Sequence, residues 1–534
     1  MDRKTLLALG VCFLILIGWQ KFYIEPKTSP QRQTVQQQVA AVPVAAQTTQ
    51  PVLQASAAGA QNAVAESRTT ARRAPKTASF DTFSGKATVS EDAKLFSGWV
   101  LKNYRTEKKD GAPNIELKHV THQEGDGEVA FDATEFAYLA GVQGRLVVGG
   151  QEAKWEYEDD KILFSRTMAF DPAKPYVDLT ISAQFKTRRP SYMFVSLASR
   201  SPADDPEAQD RQLLYWSNKS IERVQTSDEV KLVDITTPVK WIGAASRYFT
   251  LTVVNRSQVE PRGLVQQVVE KTGRASLVYQ IGANSISVPV RVFFGPKKLD
   301  LLRSVDTTLD TTVDFGWFTV IAYPLLKMMN WFYHVFGNYG VSIILLTIVV
   351  NIITYPLTYK SMKGMREMSR IQPQLQKLRE KHKDDKEALN REMLSLMKSH
   401  GYNPMAGCWP ILVQMPVFIA LYRVLYSAVE LYQAPFMLWM QDLSAKDPYY
   451  VTPVLMSLLM FLQQKMTPNT ATDPTQAKMM QFMPLIFGLF MLTLPSGLTV
   501  YMLVNSLVGI LRQYYLNKKF GITNVPATPA PKPS

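Results

Sequence analysis

The chain has 534 residues, 59 Lys and Arg against 45 Asp and Glu, and a net charge of +14. With 46% hydrophobic residues and a mean hydropathy of −0.08, it is neither a disordered tail nor a wholly membrane-embedded protein. Residues 77–300 hold 29 basic and 29 acidic residues, and the surplus is +6 before and +8 after that stretch. This excludes a spread-out basic face for nucleic acid and fits positive charge flanking apolar segments.

The first element in chain order is an apolar run from Thr5 to Trp19 behind the charged start MDRK. No small-x-small cleavage site follows it, because Trp19 to Tyr23 are mostly bulky. Residues 1–26 are therefore expected to be an uncleaved transmembrane anchor with the N-terminus inside. Residues 27–76 are rich in Gln, Ala, Thr and Pro without a hydrophobic period, and are expected to form a flexible tether.

Residues 77–312 are expected to be an all-β domain. Short alternating segments (KATVS, GRLVVGG, YVDLTISAQF, MFVSLAS, YFTLTVV and SISVPVRVFF) are separated by Gly, Pro, Asn and Asp, the pattern of a sandwich. Cys12 and Cys408 are the two cysteines of the chain, so this domain has no disulfide, thiol nucleophile or Cys-based zinc site. His119 and His122 lie three apart without an evident third ligand, and read as surface histidines. Glu156, Glu158, Asp159 and Asp160 read as a solvated turn. No nucleophile triad or Gly-rich phosphate loop is found, so the chain is read as a non-enzyme without cofactor or metal.

Residues 313–337 carry Trp317, Trp331, Phe332 and Tyr333, with Lys327, Asn330 and His334 on one helical face. They are expected to form an amphipathic helix in the membrane interface. Five apolar segments follow: Gly340–Leu357, Trp409–Val429, Val451–Leu462, Gln481–Leu494 and Gly497–Leu511. They are taken as transmembrane helix 2 (338–358) and helices 3–6 (403–520), several shorter than the ~20 residues a bilayer needs. The intervening 359–402 carries 11 basic and 6 acidic residues and reads as a cytoplasmic helical hairpin, able to serve as a docking arm for nascent chains or a ribosome. Residues 430–450 carry Glu430, Asp442 and Asp447 against Lys446 and fall outside; 521–534 form a disordered cytoplasmic tail. Residues 24–338 are then external, with both termini inside.

Polarity within these segments carries the functional reading. Thr347, Asn351, Thr354 and Thr358 lie within an arc of roughly 60°, and Tyr501, Asn505 and Arg512 form a second stripe. Ser, Thr and Asn often join helices, but two stripes favour a hydrated groove open on the inside. Nineteen of 22 methionines follow residue 300, suited to accepting varied apolar sequences. No Asp or Glu lies within the segments proper, which weakens the alternative of a small-solute transporter.

The stretches YPLT (355–358), NPMAGCWPILVQMPVFIALY (403–422), QAPFMLWMQDLSAKDPYY (433–450), QKMTP (464–468), FMPLIF (482–487) and LPSGLTVYMLVNSL (494–507) resemble the YidC-type membrane protein insertases. Anchor, tether and exported β domain resemble the Gram-negative form of that family. The resemblance implies a polytopic α-helical membrane protein of the bacterial inner membrane with six transmembrane helices. Five of these form a core around a hydrophilic groove open to cytoplasm and lipid, and the all-β periplasmic domain is supersandwich-like. It further implies insertion and folding of nascent membrane proteins, alone or with the Sec translocon, fed by the ribosome and signal recognition particle machinery, in contact with the lipid bilayer and without direct nucleic-acid recognition beyond the ribosome. The groove positions it implies are Thr347, Asn351, Gln414, Tyr501 and Asn505. One departure stands out: where the family usually has Arg, four residues before the Tyr of YPLT, this chain has Asn351. Arg423 is on the opposite face from Gln414 and does not replace it, so the groove is expected to work chiefly by hydration.

Overall fold

The computed structural model describes residues 74–109, 111–121, 127–201, 210–225, 231–268, 271–382, 385–399, 405–467 and 474–520. The anchor, nearly all of the tether, His122 and the tail from 521 lie outside the described residues. The chain divides into two compact units, Met1–Thr106 with Pro113–Thr312, and Glu107–Ala112 with Val313–Ser534.

The first unit is mostly antiparallel sheet. Its largest sheet runs, in spatial order, Ser220–Gln225, Gln212–Ser217, Val239–Ala245, Phe249–Asn255, Ser285–Pro296, Tyr176–Phe185, Ile162–Ala169, Glu152–Glu158 and Arg145–Gly149. A second sheet has Lys231–Ile235, Arg262–Val268, Thr272–Gln280, Tyr192–Arg200 and Glu128–Phe131, and a third has Thr77–Asp81, Gly85–Ser90, Gly98–Arg105 and Asn114–Glu116. All six alternating segments of the sequence lie on strands. In YVDLTISAQF the period-two pattern puts Val177, Leu179, Ile181, Ala183 and Phe185 on the buried face. This strand pairs with Ser285–Pro296 in the register Leu179↔Val290 and Ile181↔Val288, so apolar pairs stack into one core.

Arg166 takes an inward position on Ile162–Ala169 and is wholly buried. Its guanidinium donates to the carbonyls of Ala93 (2.9 Å), Lys94 (2.6 Å) and Asp92 (3.1 Å), and its carbon lies 4.1 Å from the Trp155 ring centre. These contacts pin the loop 92–94 onto the sheet, and burial pushes the Arg166 guanidinium down to about 9. Asp159 Oδ1 accepts from the N–H groups of Lys161 (2.8 Å) and Ile162 (2.9 Å), so Asp159 and Asp160 belong to a capped turn, whereas Glu156 and Glu158, expected in the same turn, lie on the strand Glu152–Glu158, where their backbones pair across the sheet. His119 Nδ1 accepts from Glu116 N–H at 2.9 Å.

The second unit is helical: α1 (Thr319–Phe336), α2 (Tyr339–Lys381), α3 (Lys386–Ser399), α4 (Met405–Ser427), α5 (Val451–Met466), α6 (Pro474–Met491) and α7 (Ser496–Phe520). Ala322, Leu325, Leu326, Met329 and Phe332 of α1 are buried at helical spacing, while Trp331 and Val335 remain exposed. Gly337 ends α1 with φ +67°, a left-handed conformation cheap only for glycine, and its N–H reaches Tyr333 O at 2.7 Å. Asn338 then caps α2, its Oδ1 accepting from Val341 N–H at 3.2 Å.

Helices α2, α4, α5, α6 and α7 coincide in position with the five apolar segments. Among the described residues, Tyr339–Tyr359 is the one stretch long and apolar enough by itself to cross a membrane. At 16 residues α5 spans about 24 Å, short of the ~30 Å hydrocarbon core. Residue 358 is not a helix boundary: α2 continues unbroken for 43 residues to Lys381. It turns back into α3, where Asp385 Oδ1 accepts from the N–H groups of Glu387 (3.1 Å) and Ala388 (2.9 Å). Ile371 and Leu375 of α2 are buried and pack with Met393 and Leu396 of α3.

Candidate functional site

The starts of three helices are gathered by the loop between α4 and α5. Trp439 Nε1 donates to Asp447 Oδ1 (3.0 Å), and Asp447 Oδ2 accepts from Thr452 N–H (2.8 Å) and Oγ1 (2.7 Å) at the first turn of α5. Thr452 Oγ1 and Thr499 Oγ1 of α7 are 3.0 Å apart. Ser496 N–H and Gly497 N–H, otherwise unpaired at the start of α7, donate to Ala445 O (2.7 Å) and Leu443 O (2.9 Å). At the start of α2, Asn338 Nδ2 donates to Phe436 O at 2.9 Å, and a Cβ on Gly340 would overlap the Phe436 ring. Burial raises the Asp447 carboxyl, but hydrogen bonds from Thr452, Tyr449 and Trp439 outweigh it, holding the group below the usual carboxylate range.

Further along the same helices lies a chain of polar side chains. Thr347 Oγ1 donates to Ile343 O (2.6 Å) and is 0% exposed. Asn351, 7% exposed, donates through Nδ2 to Thr347 O (2.9 Å) and to Asn505 Oδ1 on α7 (3.0 Å). With both amide hydrogens engaged, Asn351 Oδ1 is left to accept, and it does so from Arg512 Nη1 at 3.2 Å. Thr354 and Thr358 continue the α2 stripe, half-buried, their hydroxyls donating to Val350 O (2.9 Å) and Thr354 O (3.1 Å). On α4, Gln414 is hydrogen-bonded to Tyr501 of α7 through their side chains, and Phe418 one turn on lies 6.5 Å from the Tyr501 ring.

The residues selected from the sequence thus form two hydrogen-bonded groups, Asn505–Asn351–Arg512 and Gln414–Tyr501, with Thr347 beneath the first. Thr347 and Tyr501 (1% exposed) are sealed among helices, whereas Gln414, Asn505 and Arg512 are half-buried. Arg423 Nη1 lies 3.7 Å from Asp314 Oδ2. Outside these groups α5 and α6 present Val454, Leu455, Leu458, Phe482, Leu485 and Leu489 exposed, an apolar face suited to lipid. The sequence reading missed the Asp447 cluster. Its signal was an acid two residues before a Tyr-Tyr pair and five before Thr452, a local acceptor ahead of a helix start. Among the described residues, no group of three or more His, Cys, Asp or Glu is placed to hold a metal.

Comparison with known proteins matches the chain twice. The 60Kd inner membrane protein family matches residues 331–523, and the YidC periplasmic domain family matches residues 79–328. A Geobacter sulfurreducens protein named membrane protein insertase YidC is 44% identical over 286 residues, 52% of this chain and 53% of that one. One of the same name from Oleidesulfovibrio alaskensis is 33% identical over 571 residues, 97% of this chain and 99% of that one. The matched region spans about half the length of the first relative and nearly all of the second. A solved structure described as an active YidC insertase with its first transmembrane domain resolved aligns with 83% of this chain and 93% of its own, at 18% identity and a TM-score of 0.37.

Proposed function

This chain belongs to the YidC family of membrane protein insertases, and from that premise we propose that it inserts nascent inner-membrane proteins by sheltering their polar exported segments against α2, α4 and α7. The observation that carries this reading is the hydrogen-bonded run Asn505–Asn351–Arg512 inside otherwise apolar helices. An unpaired amide or hydroxyl in hydrocarbon costs about 2–7 kcal/mol, so partners offered partway across lower the barrier for a polar tail. The apolar segment of the client meanwhile leaves sideways along the exposed faces of α5 and α6. No bond is made or broken, so no catalytic group is required.

In this reading the Asp447 loop closes the external end and the groove opens toward the other. The chain is a multi-pass inner-membrane protein with both termini cytoplasmic and residues 24–338 periplasmic, and the α2–α3 arm receives clients from the ribosome, the signal recognition particle route or the Sec translocon. The test is site-specific photocrosslinking from positions 414, 505 and 512, the half-buried members of the two groups, to a ribosome-bound single-span client. Adducts from these positions and not from lipid-facing 458 or 489 support the path. Normal insertion without such adducts would return the polar residues to helix packing alone.

A further inference from the structure

The loop between α4 and α5 reverses the usual arrangement of polar and apolar groups. Its two carboxylates turn inward onto backbone: Asp442 Oδ1 accepts from the N–H groups of Gln433 (3.1 Å) and Ser444 (2.8 Å), and Asp447 is buried at the start of α5. What the loop shows outward is largely apolar, with Met437, Leu438, Tyr449 and Tyr450 all exposed. Leu438 is the second residue of a tight turn, closed by Met440 N–H donating to Met437 O at 3.0 Å, and its φ is +53°. Tyr450 has φ +56°. Glycine or asparagine would adopt either conformation more cheaply. Inside the molecule the Leu438 side chain recovers little of that cost, since the residue is 73% exposed. Backbone strain of this kind is held where a side chain is presented to a partner. The patch also continues a second surface. The ring of Trp439, next to Leu438, meets that of Tyr449 edge to face at 6.5 Å, which brings the turn against the start of α5. From Tyr450 the exposed side chains run on along one side of α5 as Val454, Leu455, Leu458 and Leu462.

We propose that the α4–α5 loop is a wedge seated in the membrane, with Met437, Leu438 and Tyr449 entering the acyl boundary of the outer leaflet. This rests on the placement of α5 in the bilayer and of its loop at the external end, as in the reading above. The partner is lipid because the patch prolongs a face already suited to lipid, and because a Trp–Tyr pair is the aromatic element favoured where hydrocarbon meets water. A polar exported tail would leave the two carboxylates and the apolar side chains equally unmatched. The wedge also answers the shortness of α5. The helix covers about 24 Å of the ~30 Å hydrocarbon layer, and the loop carries its apolar side further where the helix itself has ended. Holding Leu438 in a fixed turn means that its ordering is complete before it meets lipid, so contact with the acyl chains is not offset by loss of loop freedom.

The test uses the full chain with Cys12→Ser and Cys408→Ser, carrying one new cysteine at a time: Leu438→Cys in the turn, Leu458→Cys on the exposed side of α5, or Lys219→Cys in an exposed turn of the β unit. Each is labelled with a polarity-sensitive nitrobenzoxadiazole dye and reconstituted in phosphatidylcholine vesicles with iodide on both sides. The label at 438 is expected to behave like that at 458: blue-shifted emission, quenching by lipid carrying a nitroxide near the carboxyl end of its acyl chain, and iodide quenching severalfold below that at 219. Iodide access at 438 equal to that at 219, with 458 still in lipid, overturns this proposal and leaves the bilayer placement of α5 standing. Protection of 438 from iodide and from the lipid nitroxide together would assign the patch to a protein partner, such as a second copy of the chain, and overturns it as well. If iodide reaches 458 as freely as 219, the placement of α5 itself falls, and this proposal with it.

Discussion

Asn351 and Asn505, 154 residues apart, meet side chain to side chain at 3.0 Å between α2 and α7. The contact joins two polar stripes that are separate in sequence and turns them into one network reaching Arg512. Its energetic weight is measurable. Hydrogen bonds between membrane helices average about 0.6 kcal/mol and reach about 1.7, because the unpaired groups find other partners. A double-mutant cycle of Asn351→Ala and Asn505→Ala, read by unfolding in bicelles, is expected to give a coupling within that range. Additive losses would show that the two amides do not support each other.

Asp447 ties the α4–α5 loop to α5 and, through Thr452, to Thr499 of α7. Its carboxyl is held below the ordinary range, so its contribution is complete above the unfolded value of about 3.9 and is lost as pH falls through the folded one. Asp447→Asn is expected to cost about 1–3 kcal/mol at neutral pH, since the acceptor for Thr452 N–H weakens while the site stays buried. The gap between variant and parent, followed by tryptophan fluorescence on heating, should be constant from pH 7 to about 5 and shrink below about 4. A gap independent of pH would mean that the charge is not what stabilises the loop.

Gly340 lies where α2 passes the Phe436 ring with no room for a methyl group. Gly340→Ala is expected to destabilise by about 1–3 kcal/mol through overpacking, despite the better helix propensity of alanine. Combining it with Phe436→Ala should recover part of that loss. Independent, additive effects would place the ring elsewhere.

In the β unit, Arg166→Leu removes the donor from three loop carbonyls, one of them in a buried bond at Ala93 and two in part-buried bonds at Lys94 and Asp92. At about 1–3 kcal/mol for each stranded group, less whatever water repairs, a drop of several kcal/mol is expected in the unfolding free energy of this unit. Arg166→Lys should recover only part of it, because an ammonium cannot hold all three carbonyls and stack on Trp155. A neutral Arg166→Leu would show that the loop 92–94 is held by its backbone alone.

Local periodicity made much of this legible beforehand. A repeat of two in YVDLTISAQF specifies a strand with one buried face, and spacings of three and four in Thr347, Asn351, Thr354 and Thr358 specify one side of a helix. Both signals are complete within a dozen residues and need no knowledge of neighbours. Family resemblance added Gln414, and its partner Tyr501 was already on a stripe. Which polar residue meets which could not be read this way. Arg512 could be placed on a stripe, but its reach to Asn351 depends on how α2 and α7 pack and on the backward lean of a long side chain. The local partners of Asp447, Trp439 and Thr452, lie within eight residues of it, but the link onward from Thr452 to Thr499 of α7 spans 47 residues and depends on how α5 and α7 pack. Strand, helix and face are set by interactions among near neighbours along the chain. The burial of Thr347 and Tyr501, the reach of Arg512 to Asn351 and the meeting of Thr452 with Thr499 arise from contacts between distant segments, and packing alone brings those together.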